Sequence, residues 1–188
     1  MDVEKAIEVR RAYRSFVKTE ITKELIEELA KAAQSAPSCN NNQPWHYVFA
    51  YDPAKLEEMK PVFNKGNSWC WGASMIIAAF SNAAADCVIN ERIYDMFDLG
   101  LGTGLMLLRA TELGLVAHPI AGYDEALAKK ILNIPENMQI ITLILVGKHG
   151  SSTEGLSDKQ KLAEQGRPPR KAIKDFVWHN SYKEEQIT

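Results

Sequence analysis

Apolar residues along this 188-residue chain recur with helical spacing in some segments and form short continuous runs in others. Helical spacing predicts an amphipathic helix over residues 3–12 and another that starts after Thr22. The continuous runs "HYVFAY", "SMIIAAFS" and "QIITLILVG" predict strands. Helices and strands alternate, but the strands are too few for a doubly wound parallel sheet. The pattern therefore predicts the α+β class, with a small mixed β-sheet packed between helices.

Capping residues mark the ends of several predicted helices. Thr22 is placed to cap the second helix, Asp52 followed by a proline opens the next, and Asp124 caps the helix "EALAKKIL". Gly114 is the type of residue that ends a helix, and it follows an apolar segment from Asp86 to Leu113. Because roughly 28 residues exceed the usual ~10–14 of a helix, we expect two helices broken near the glycines.

The glycine-rich stretch "GLGTG" (residues 100–104) resembles a phosphate-binding loop only superficially. No Lys-Ser/Thr pair follows it, its spacing is not GxGxxG, and it lies inside a helical segment instead of joining a strand to a helix. This excludes Walker A and Rossmann motifs. Gly100 and Gly104 are one helical turn apart, which predicts close approach by another backbone or a flat ligand.

The chain becomes polar after Gly147, and residues 150–188 contain too few apolar side chains to form their own core. A cluster of large apolar side chains nevertheless occurs near its end, and leaving each in water costs about 1.5–3 kcal/mol. We therefore expect a single domain, with a core of residues 1–149 and an arm of residues 150–188. The arm should dock onto another surface, for which a second subunit is one candidate. The cluster consists of Ile173, Phe176, Val177 and Trp178.

Composition and charge exclude several classes of partner. The net charge is −2, the isoelectric point is near 6.1, and 46% of the residues are hydrophobic. This balance provides no electrostatic basis for binding nucleic acid or an anionic membrane. No apolar stretch reaches the ~20 residues that span a bilayer, and the acidic start "MDVEKAIEVRR" is unlike a signal peptide. We expect a cytoplasmic protein that binds neither nucleic acid nor membrane.

The cysteines and histidines do not have the spacing of a metal site. Cys39, Cys70 and Cys87 are far apart and odd in number, and no CxxC motif occurs. We expect three reduced structural thiols. The four histidines are also far apart, and none pairs with another ligand at helical spacing. The sequence therefore predicts no bound metal.

Two basic segments are candidates for anion binding. In "RRAYRSF", Arg10 and Arg14 have the spacing that puts two side chains on one helix face, where a phosphate would relieve their repulsion. In "RPPRKAIKD", Arg167, Arg170 and Lys171 lie beside two stiffening prolines. The alternatives are a solvated basic turn for the first segment and a solvated linker for the second. Spacing alone leaves open whether the two segments meet.

The stretch "APSCNNNQPW" (residues 36–45) predicts a loop, because its amides compete with the backbone for hydrogen bonds. Pro37 and Pro44 bracket it and should make it stiff. The chain shows no Ser/His/Asp triad, nucleophile elbow or carboxylate pair, so an enzyme of this sequence would need a cofactor for its chemistry.

Taken together, these segments resemble the nitroreductase family of FMN-dependent oxidoreductases, in the same order and over nearly the whole chain. "RRAYRSF" is similar to the family's opening Arg-Arg-Ser-x-Arg-x-Phe, and "APSCNNNQPW" to its Pro-Ser-x-x-Asn-x-Gln-Pro-Trp loop. "DLGLGTGLMLLRATELGL" resembles its central helix, and "PIAGYDEALAKKILNIPE" its Pro-Ile-x-Gly-Phe turn with the following helix. "TLILVGK" and "PRKAIKDFVW" resemble the last core strand and the C-terminal arm.

The resemblance implies an α+β fold and an intertwined homodimer, with exchanged C-terminal arms and two FMN molecules in the subunit interface. It also implies electron transfer from NAD(P)H through FMN to nitroaromatic, quinone or similar acceptors by a ping-pong mechanism. The flavin would carry the chemistry, so no catalytic side chain is implied. A flavin-binding carrier or redox sensor without NAD(P)H turnover is the alternative, and a basic-patch interaction protein is a third reading.

The resemblance assigns the phosphate side of the FMN site to the two basic segments. Ala12 belongs to this side but stands where the family often has serine, so a hydroxyl is missing there. The side chains implied to hold the phosphate and ribityl chain are those of Arg10, Arg11, Arg14, Arg170 and Lys171.

Three further segments are implied to contact the flavin ring. Asn67 would bind the pyrimidine end of the ring, with Asn64 as the alternative. Residues 52–74 form a short connection, which argues against the elaborate lid of flavin-fragmenting or deiodinating relatives. Ile120, Ala121 and Gly122 would line the ring through backbone groups, and Ala121 replaces a frequent glutamate. The loop residues implied to reach the flavin from the partner subunit are Pro37, Ser38, Cys39 and Asn41, with Gln43 supporting the loop or touching the ring edge.

Overall fold

The computed structural model describes residues 1–182 and has an antiparallel sheet at its centre. The longest strand pairs with three others: with one along most of its length, with a second along its later part, and with a third at its C-terminal end. Every pairing within residues 1–182 is antiparallel, so the α+β class is confirmed but parallel strands are not found there. In chain order the strands of this sheet are β1 (Phe16–Val17), β2 (His46–Ala50), β3 (Met75–Ser81), β6 (Val116–Ile120) and β7 (Gln139–His149).

Helices cover both faces of the sheet. The alternation of β3 divides the interior into two clusters, because successive side chains point to opposite faces. Ile76 packs with one cluster, beside residues of α3 and α5, whereas Ile77 packs with the other, beside residues of α2 and α4. The helices are α1 (Val3–Val9), α2 (Lys23–Gln34), α3 (Pro53–Met59), α4 (Asp95–Glu112), α5 (Glu125–Leu132) and α6 (Asp158–Gln165).

The predicted helix caps are confirmed. The Thr22 hydroxyl accepts the Leu25 N–H at 3.2 Å, and Asp52 and Asp124 cap α3 and α5 in the same way. Gly114 ends α4 with a φ of +74°, a left-handed conformation that only glycine adopts without strain. These boundaries are local in origin, since each depends on one side chain and the backbone next to it.

The first helix is shorter than predicted. It ends at Val9, and Arg10 already has a non-helical backbone conformation, with φ −55° and ψ 121°. Arg10 and Arg14 therefore do not share a helix face, and that prediction is wrong. The residues that follow are held outside the helix by hydrogen bonds to the C-terminal part of the chain, which helical spacing alone could not reveal.

The segment from Asp86 to Leu113 contains one helix and not two. Its first part forms a hairpin of β4 (Val88–Ile89) and β5 (Arg92–Ile93), with Asn90 and Glu91 in left-handed conformations at the turn. The long helix α4 then passes through the glycines without a break. The predicted break is thus wrong, because cross-strand pairing overrides the apolar pattern before Asp95.

Close packing in α4 occurs at Gly102, between the two glycines for which it was predicted. A Cβ at Gly102 would lie 3.0 Å from the Tyr47 hydroxyl and 3.3 Å from the Ala33 carbonyl oxygen. Gly100 and Gly104 have open space where a Cβ would be. The α2–α4 contact therefore depends on the middle glycine.

The C-terminal segment carries exposed apolar side chains. After α6, a short 3₁₀ turn (Ile173–Asp175) leaves Ile173 72% and Phe176 54% exposed. The predicted arm extends to residue 188, and its last residues, 183–188, lie outside the described part of the chain. Within the described part, no helix has the length and apolar character needed to cross a bilayer.

Candidate functional site

The two basic segments meet in a cavity of about 240 Å³, here called the basic cavity. The sequence left this meeting open, and the fold decides it by placing α6 and the residues after it against the chain that follows α1. Lys171, the last predicted phosphate-side residue, is exposed and is not part of the wall. The wall is formed by Arg10, Arg11, Ala12, Arg14, Ala163, Arg167, Pro168 and Arg170.

Two of these arginines hold the cavity together. The Nη2 atom of Arg11 donates to the Ala163 carbonyl oxygen at 2.5 Å, at the C-terminal end of α6. The Nη2 atom of Arg167 donates to the carbonyl oxygens of Glu8 at 2.5 Å and Arg10 at 2.6 Å, at the end of α1. Each guanidinium thus satisfies helix-terminal carbonyl groups of the opposite segment. Arg11 is consequently a poorer candidate for direct anion contact than the sequence suggested.

The remaining arginines are available to an anion. Within residues 1–182, none of the five arginines of the wall forms an ion pair with a carboxylate, and the guanidinium groups of Arg10 and Arg170 make no hydrogen bond. Burial, followed by the charges of Arg167 and Arg170, lowers the pKa of Arg10. An uncompensated group of cations in a partly buried cavity favours a dianion such as a phosphate monoester.

Glu164 positions the arginine segment without neutralising it. Its side chain is 6% exposed, and its carboxylate accepts the backbone N–H groups of Arg14 at 2.8 Å and Ser15 at 3.4 Å. The same carboxylate lies 3.3 Å from Nε2 of His149. This clamp fixes the backbone from which Arg14 projects. Sequence reasoning missed Glu164, because nothing in its local spacing marks it.

A histidine and a tryptophan extend the site away from the basic cavity. The Arg14 guanidinium lies 5.5 Å from the centre of the Trp69 ring, and the His118 ring lies 4.8 Å from the same ring on a tilted approach. The Nδ1 atom of His118 is 2.9 Å from the Tyr13 carbonyl oxygen. Burial lowers the pKa of His118 to about 4, so the ring is neutral at physiological pH. His118 was not singled out as a functional residue by the sequence.

Trp69 forms a hydrogen bond with Asn67, one of the residues predicted to bind the flavin ring. Its Nε1 donates to Oδ1 of Asn67 at 3.1 Å, and Nδ2 of Asn67 donates to the Gly122 carbonyl oxygen at 3.2 Å. A Cβ at Gly122 would lie 2.8 Å from Nδ2 of Asn67 and 3.6 Å from Nδ2 of Asn64. The structure therefore brings Asn64 and Asn67 together with the turn after β6. Continuous contacts connect this turn to the basic cavity.

The backbone before that turn is fixed by the sheet. Ile120 ends β6, and its carbonyl oxygen accepts the Thr142 hydroxyl at 2.9 Å. Ala121 follows and is exposed, so it offers backbone groups and a small side chain to whatever lies against the turn. Together with Gly122, these residues form a narrow wall next to Asn67.

The polar stretch from Pro37 to Gln43, here called the amide loop, lies at the start of α4. Its Cys39 N–H donates to Oδ2 of Asp98 at 2.6 Å, and its Gln43 N–H donates to the Ser38 hydroxyl at 2.9 Å. Asn40, Asn41 and Gln43 have positive φ values, so the loop is tightly folded. None of its residues belongs to the wall of the basic cavity. Within one chain, the residues predicted to bind flavin therefore form two separate groups. One consists of the basic cavity with Asn67 and the turn after β6, and the other is the amide loop.

The expectation of three reduced thiols is wrong. Cys39 of the amide loop and Cys87 form a disulfide, with Cα atoms 6.0 Å apart although the residues are 48 positions apart in the sequence. Within residues 1–182 the remaining free thiol is Cys70, which is buried, and burial raises its pKa to about 12. Pairing depends on proximity in the fold, which the wide sequence spacing concealed.

A comparison with known protein families decides the classification. Residues 7–69 and 63–148 match the model described as the nitroreductase family, which accounts for more than half of the chain. The chain belongs to the nitroreductase family. It is therefore a nitroreductase-family oxidoreductase, as its sequence motifs indicated.

Curated relatives of this nitroreductase-family chain include archaeal and bacterial proteins. A protein of Archaeoglobus fulgidus, named provisionally as an NADH dehydrogenase/NAD(P)H nitroreductase, is 32% identical over 150 residues, covering 76% of this chain and 83% of the relative. An iodotyrosine deiodinase of Haliscomenobacter hydrossis is 28% identical over 184 residues, covering 82% of this chain and 83% of the relative.

Solved structures share the fold over nearly the full length. A structure described as an oxidoreductase containing FMN has a TM-score of 0.82 at 24% identity, covering 97% of this chain and 94% of its own. A candidate nitroreductase of Exiguobacterium sibiricum, described in complex with FMN, has a TM-score of 0.75 at 19% identity, covering 95% and 98%. At these identities the likeness establishes the nitroreductase fold.

Proposed function

We propose that this protein is an FMN-dependent oxidoreductase that passes electrons from NAD(P)H to nitroaromatic, quinone or similar small acceptors in alternating half-reactions. The observation that carries the proposal is the basic cavity, in which cations converge without a carboxylate partner. The cofactor named for two similar structures is FMN, and the Archaeoglobus relative is named for NAD(P)H-linked activity. When bound, FMN supplies the redox chemistry, and the protein binds and orients it.

The phosphate of FMN fits the free guanidinium groups of the basic cavity. Arg10, Arg14 and Arg170 are the residues proposed to bind it, because Arg11 and Arg167 already donate to backbone carbonyl groups. Burial, followed by repulsion from Arg167 and Arg170, lowers the pKa of Arg10, and a phosphate dianion would offset that repulsion. Lys171 is proposed as an outer cation that adds long-range attraction.

The flavin ring is proposed to extend from the basic cavity toward the turn after β6. Trp69 and neutral His118 form an aromatic floor between the two, and Asn67 stands beside the backbone of Gly122. A flat, partly polar ring needs apolar walls and a few fixed donors, which this arrangement provides. The close approach of Asn67 to Gly122 also explains why this position has no side chain.

The amide loop is proposed to complete the site of a neighbouring subunit. It is separate from the basic cavity in its own chain, so a site that uses both groups requires two chains. Exposed apolar side chains at Val88, Ile93 and Phe97 lie close in the chain to Cys87 and α4, and such a patch favours association. We therefore propose a homodimer in which Asn41 and Gln43 of one subunit approach the flavin of the other.

The proposal also covers the C-terminal arm and the cellular location of the protein. Residues 1–149 are proposed as the flavin-binding core, and residues 150–188 as an arm that wraps the partner subunit and covers Ile173 and Phe176. The protein is proposed to act in the cytoplasm. The Cys39–Cys87 disulfide is unusual for a cytoplasmic protein, because thiols in the cytosol are usually kept reduced.

Reductive deiodination, the activity in the name of the Haliscomenobacter relative, is not proposed for this chain. The connection between Asp52 and Ser74 contains α3 and two 3₁₀ turns, and its Met59, Val62 and Cys70 are buried in the core. Between these buried residues the longest exposed stretch is residues 64–66, which is little material for an elaborate lid over an aromatic substrate.

The decisive experiment examines flavin binding and reduction in the purified full-length protein. We expect bound or added FMN to give the visible absorbance of a flavoprotein, and NADH or NADPH to bleach it under anaerobic conditions. Quinone or nitroaromatic addition should then restore the colour. A protein that binds FMN but is bleached only by dithionite would instead be a carrier or sensor. A protein that binds no FMN would refute the proposal.

Arg14→Ala tests the phosphate role. We expect weaker FMN retention, because the substitution removes a cavity cation. Arg109→Ala is the matched control, since Arg109 pairs with Glu28 on the outer surface of α2 and α4. Equal FMN affinity of the two variants would remove Arg14 from the site.

A further inference from the structure

The Cys39–Cys87 disulfide links the amide loop to the segment that precedes the β4–β5 hairpin. We propose that this disulfide is a thiol–disulfide exchange site, which small thiols and dithiols open by attack on the Cys39 sulfur. The inference goes beyond the proposed oxidoreductase activity and does not depend on bound FMN. Its argument comes from the unequal surroundings of the two sulfur atoms.

The two cysteines differ in access. Cys39 is partly exposed on the amide loop, whereas Cys87 is 8% exposed. An attacking thiolate must reach one sulfur along the axis of the disulfide bond, and the more accessible sulfur is favoured. Access therefore selects Cys39 as the sulfur that is attacked and Cys87 as the sulfur that leaves.

The surroundings of Cys87 stabilise a leaving thiolate. Two side-chain amides approach its Sγ, with Nδ2 of Asn40 at 3.4 Å and Nδ2 of Asn42 at 3.5 Å. A disulfide sulfur is a weak acceptor, whereas a thiolate is a strong one, so both contacts strengthen when the bond breaks. Donors that lower the pKa of the leaving thiol speed the exchange. Asn40 and Asn42 thus gain a role distinct from that of Asn41.

Asp86 lies beside the sulfurs and acts against the leaving thiolate. A carboxylate oxygen of Asp86 and the two sulfurs lie within 4.8 Å of one another. The Asp98 carboxyl faces Asp86, and burial, together with a hydrogen bond to Asp86, raises the pKa of Asp98. Because a carboxylate opposes a second negative charge next to it, the amides of Asn40 and Asn42 are the groups that hold the Cys87 thiolate.

The proposed reaction is balanced by the incoming thiols. A thiolate forms a bond to the Cys39 sulfur while the Cys39–Cys87 bond breaks, and the electron pair leaves on Cys87. A second thiolate then attacks the external sulfur of the mixed disulfide and releases Cys39. Two thiols are oxidised to one disulfide, the protein disulfide is reduced to two thiols, and the two thiol protons pass to Cys39 and Cys87.

The test follows the thiols of the full-length protein, purified without reductant and loaded with FMN where it binds. After exposure to dithiothreitol or glutathione, thiols are labelled with N-ethylmaleimide and assigned by mass spectrometry. We expect Cys39 and Cys87 to become reactive without denaturant while buried Cys70 stays unlabelled, which excludes global unfolding. With glutathione, the mixed disulfide should form on Cys39.

Variants of the asparagines test the leaving-group argument. Asn40→Gly and Asn42→Ala each remove a donor to Cys87. Each should slow reduction by about four- to twelvefold, because about half of the effect of a hydrogen bond to a charged group is expressed in the rate of exchange. Asn40→Gly is the cleaner test, since Asn42 also donates to Oδ1 of Asp86 at 3.2 Å. Asn90→Gly is the matched control for Asn40→Gly, because both residues have left-handed backbones with a φ of +49° and Asn90 lies in the turn of the β4–β5 hairpin, outside the amide loop. The control should react at the wild-type rate.

Four results would overturn the proposal. Three free thiols in the freshly purified protein would show that the disulfide does not form. Reduction only under conditions that also label Cys70 would make the bond purely structural. A glutathione adduct on Cys87, or equal reduction rates for Asn40→Gly and Asn90→Gly, would contradict the proposed direction of attack. None of these readouts depends on flavin reduction, so this proposal and the proposed function fail independently.

Discussion

Arg10 offers a test in which ligand affinity and protein stability are expected to move in opposite directions. The substitution Arg10→Ala removes a guanidinium that has no ion pair or hydrogen bond among the described residues. Burial and the like charges of Arg167 and Arg170 disfavour its charged form. In the absence of a ligand, removing it should therefore leave the free energy of unfolding unchanged or raise it slightly.

The effect on FMN affinity has the opposite sign. A hydrogen bond to a charged group contributes about 1.5–3 kcal/mol, and ~1.4 kcal/mol is a tenfold change, so Arg10→Ala should weaken FMN binding by about 10- to 150-fold. The assay is a titration of the apoprotein monitored by flavin fluorescence. Riboflavin, which lacks the phosphate, serves as the control ligand, and its affinity should be the same in wild type and variant.

Two outcomes would refute this reasoning. Equal weakening of FMN and riboflavin binding would show that Arg10 supports the fold of the site and does not contact the phosphate. A marked loss of stability in the ligand-free variant would show that Arg10 is compensated in the cavity. Raising the salt concentration should reduce the difference in affinity between FMN and riboflavin, because salt screens the attraction between the phosphate and the arginines.

Three further predictions follow from individual contacts. Replacing Cys87 by serine opens a covalent loop between residues 48 positions apart, and the chain-entropy relation gives a loss of about 4 kcal/mol in the free energy of unfolding. Urea titration without reductant measures this loss. Cys39→Ser should give the same loss if the missing disulfide is the cause. Gly102→Ala should destabilise the protein by about 1–3 kcal/mol through overpacking, whereas Gly104→Ala, with open space at its Cβ, should stabilise it by up to ~1 kcal/mol. Thermal unfolding compares the pair, and equal shifts would contradict the packing argument. The pKa of His118 is about 4 in the folded protein and about 6.5 in the unfolded chain, so the unfolded chain binds the proton more tightly. The free energy of unfolding should therefore decrease by up to about 3 kcal/mol as the pH falls from 6.5 to 4. Urea titrations across that pH range should show a smaller decrease in the free energy of unfolding for His118→Asn than for the wild type. The same pH dependence in both proteins would mean that His118 is not the titrating group.

Local residues were enough to predict many of the structural elements. The caps at Thr22, Asp52 and Asp124 and the helix end at Gly114 depend on one side chain and the adjacent backbone, so they could be read in isolation. The strands β2, β3 and β7 could be predicted because continuous apolar runs have few alternatives in a chain of this size. The family could also be recognised, since its motifs occur in order along the chain.

The failures have a common origin in contacts between distant residues. The hairpin after Asp86 has the apolar pattern of the following helix, and only pairing between β4 and β5 distinguishes it. The end of α1 at Val9 depends on hydrogen bonds from α6 and the residues after it. In both regions, tertiary contacts override local preference.

The α+β class, the main strands, the helix caps and the membership of the nitroreductase family could all be inferred from the sequence. The fold was needed to show that the two basic segments meet, that Arg11 and Arg167 hold them together, and that Glu164 positions Arg14. It also decided that Cys39 and Cys87 are bonded. The physical reason is that caps and periodicity act over a few residues, whereas a cavity, a buried carboxylate clamp and a disulfide require side chains from remote segments to occupy the same place.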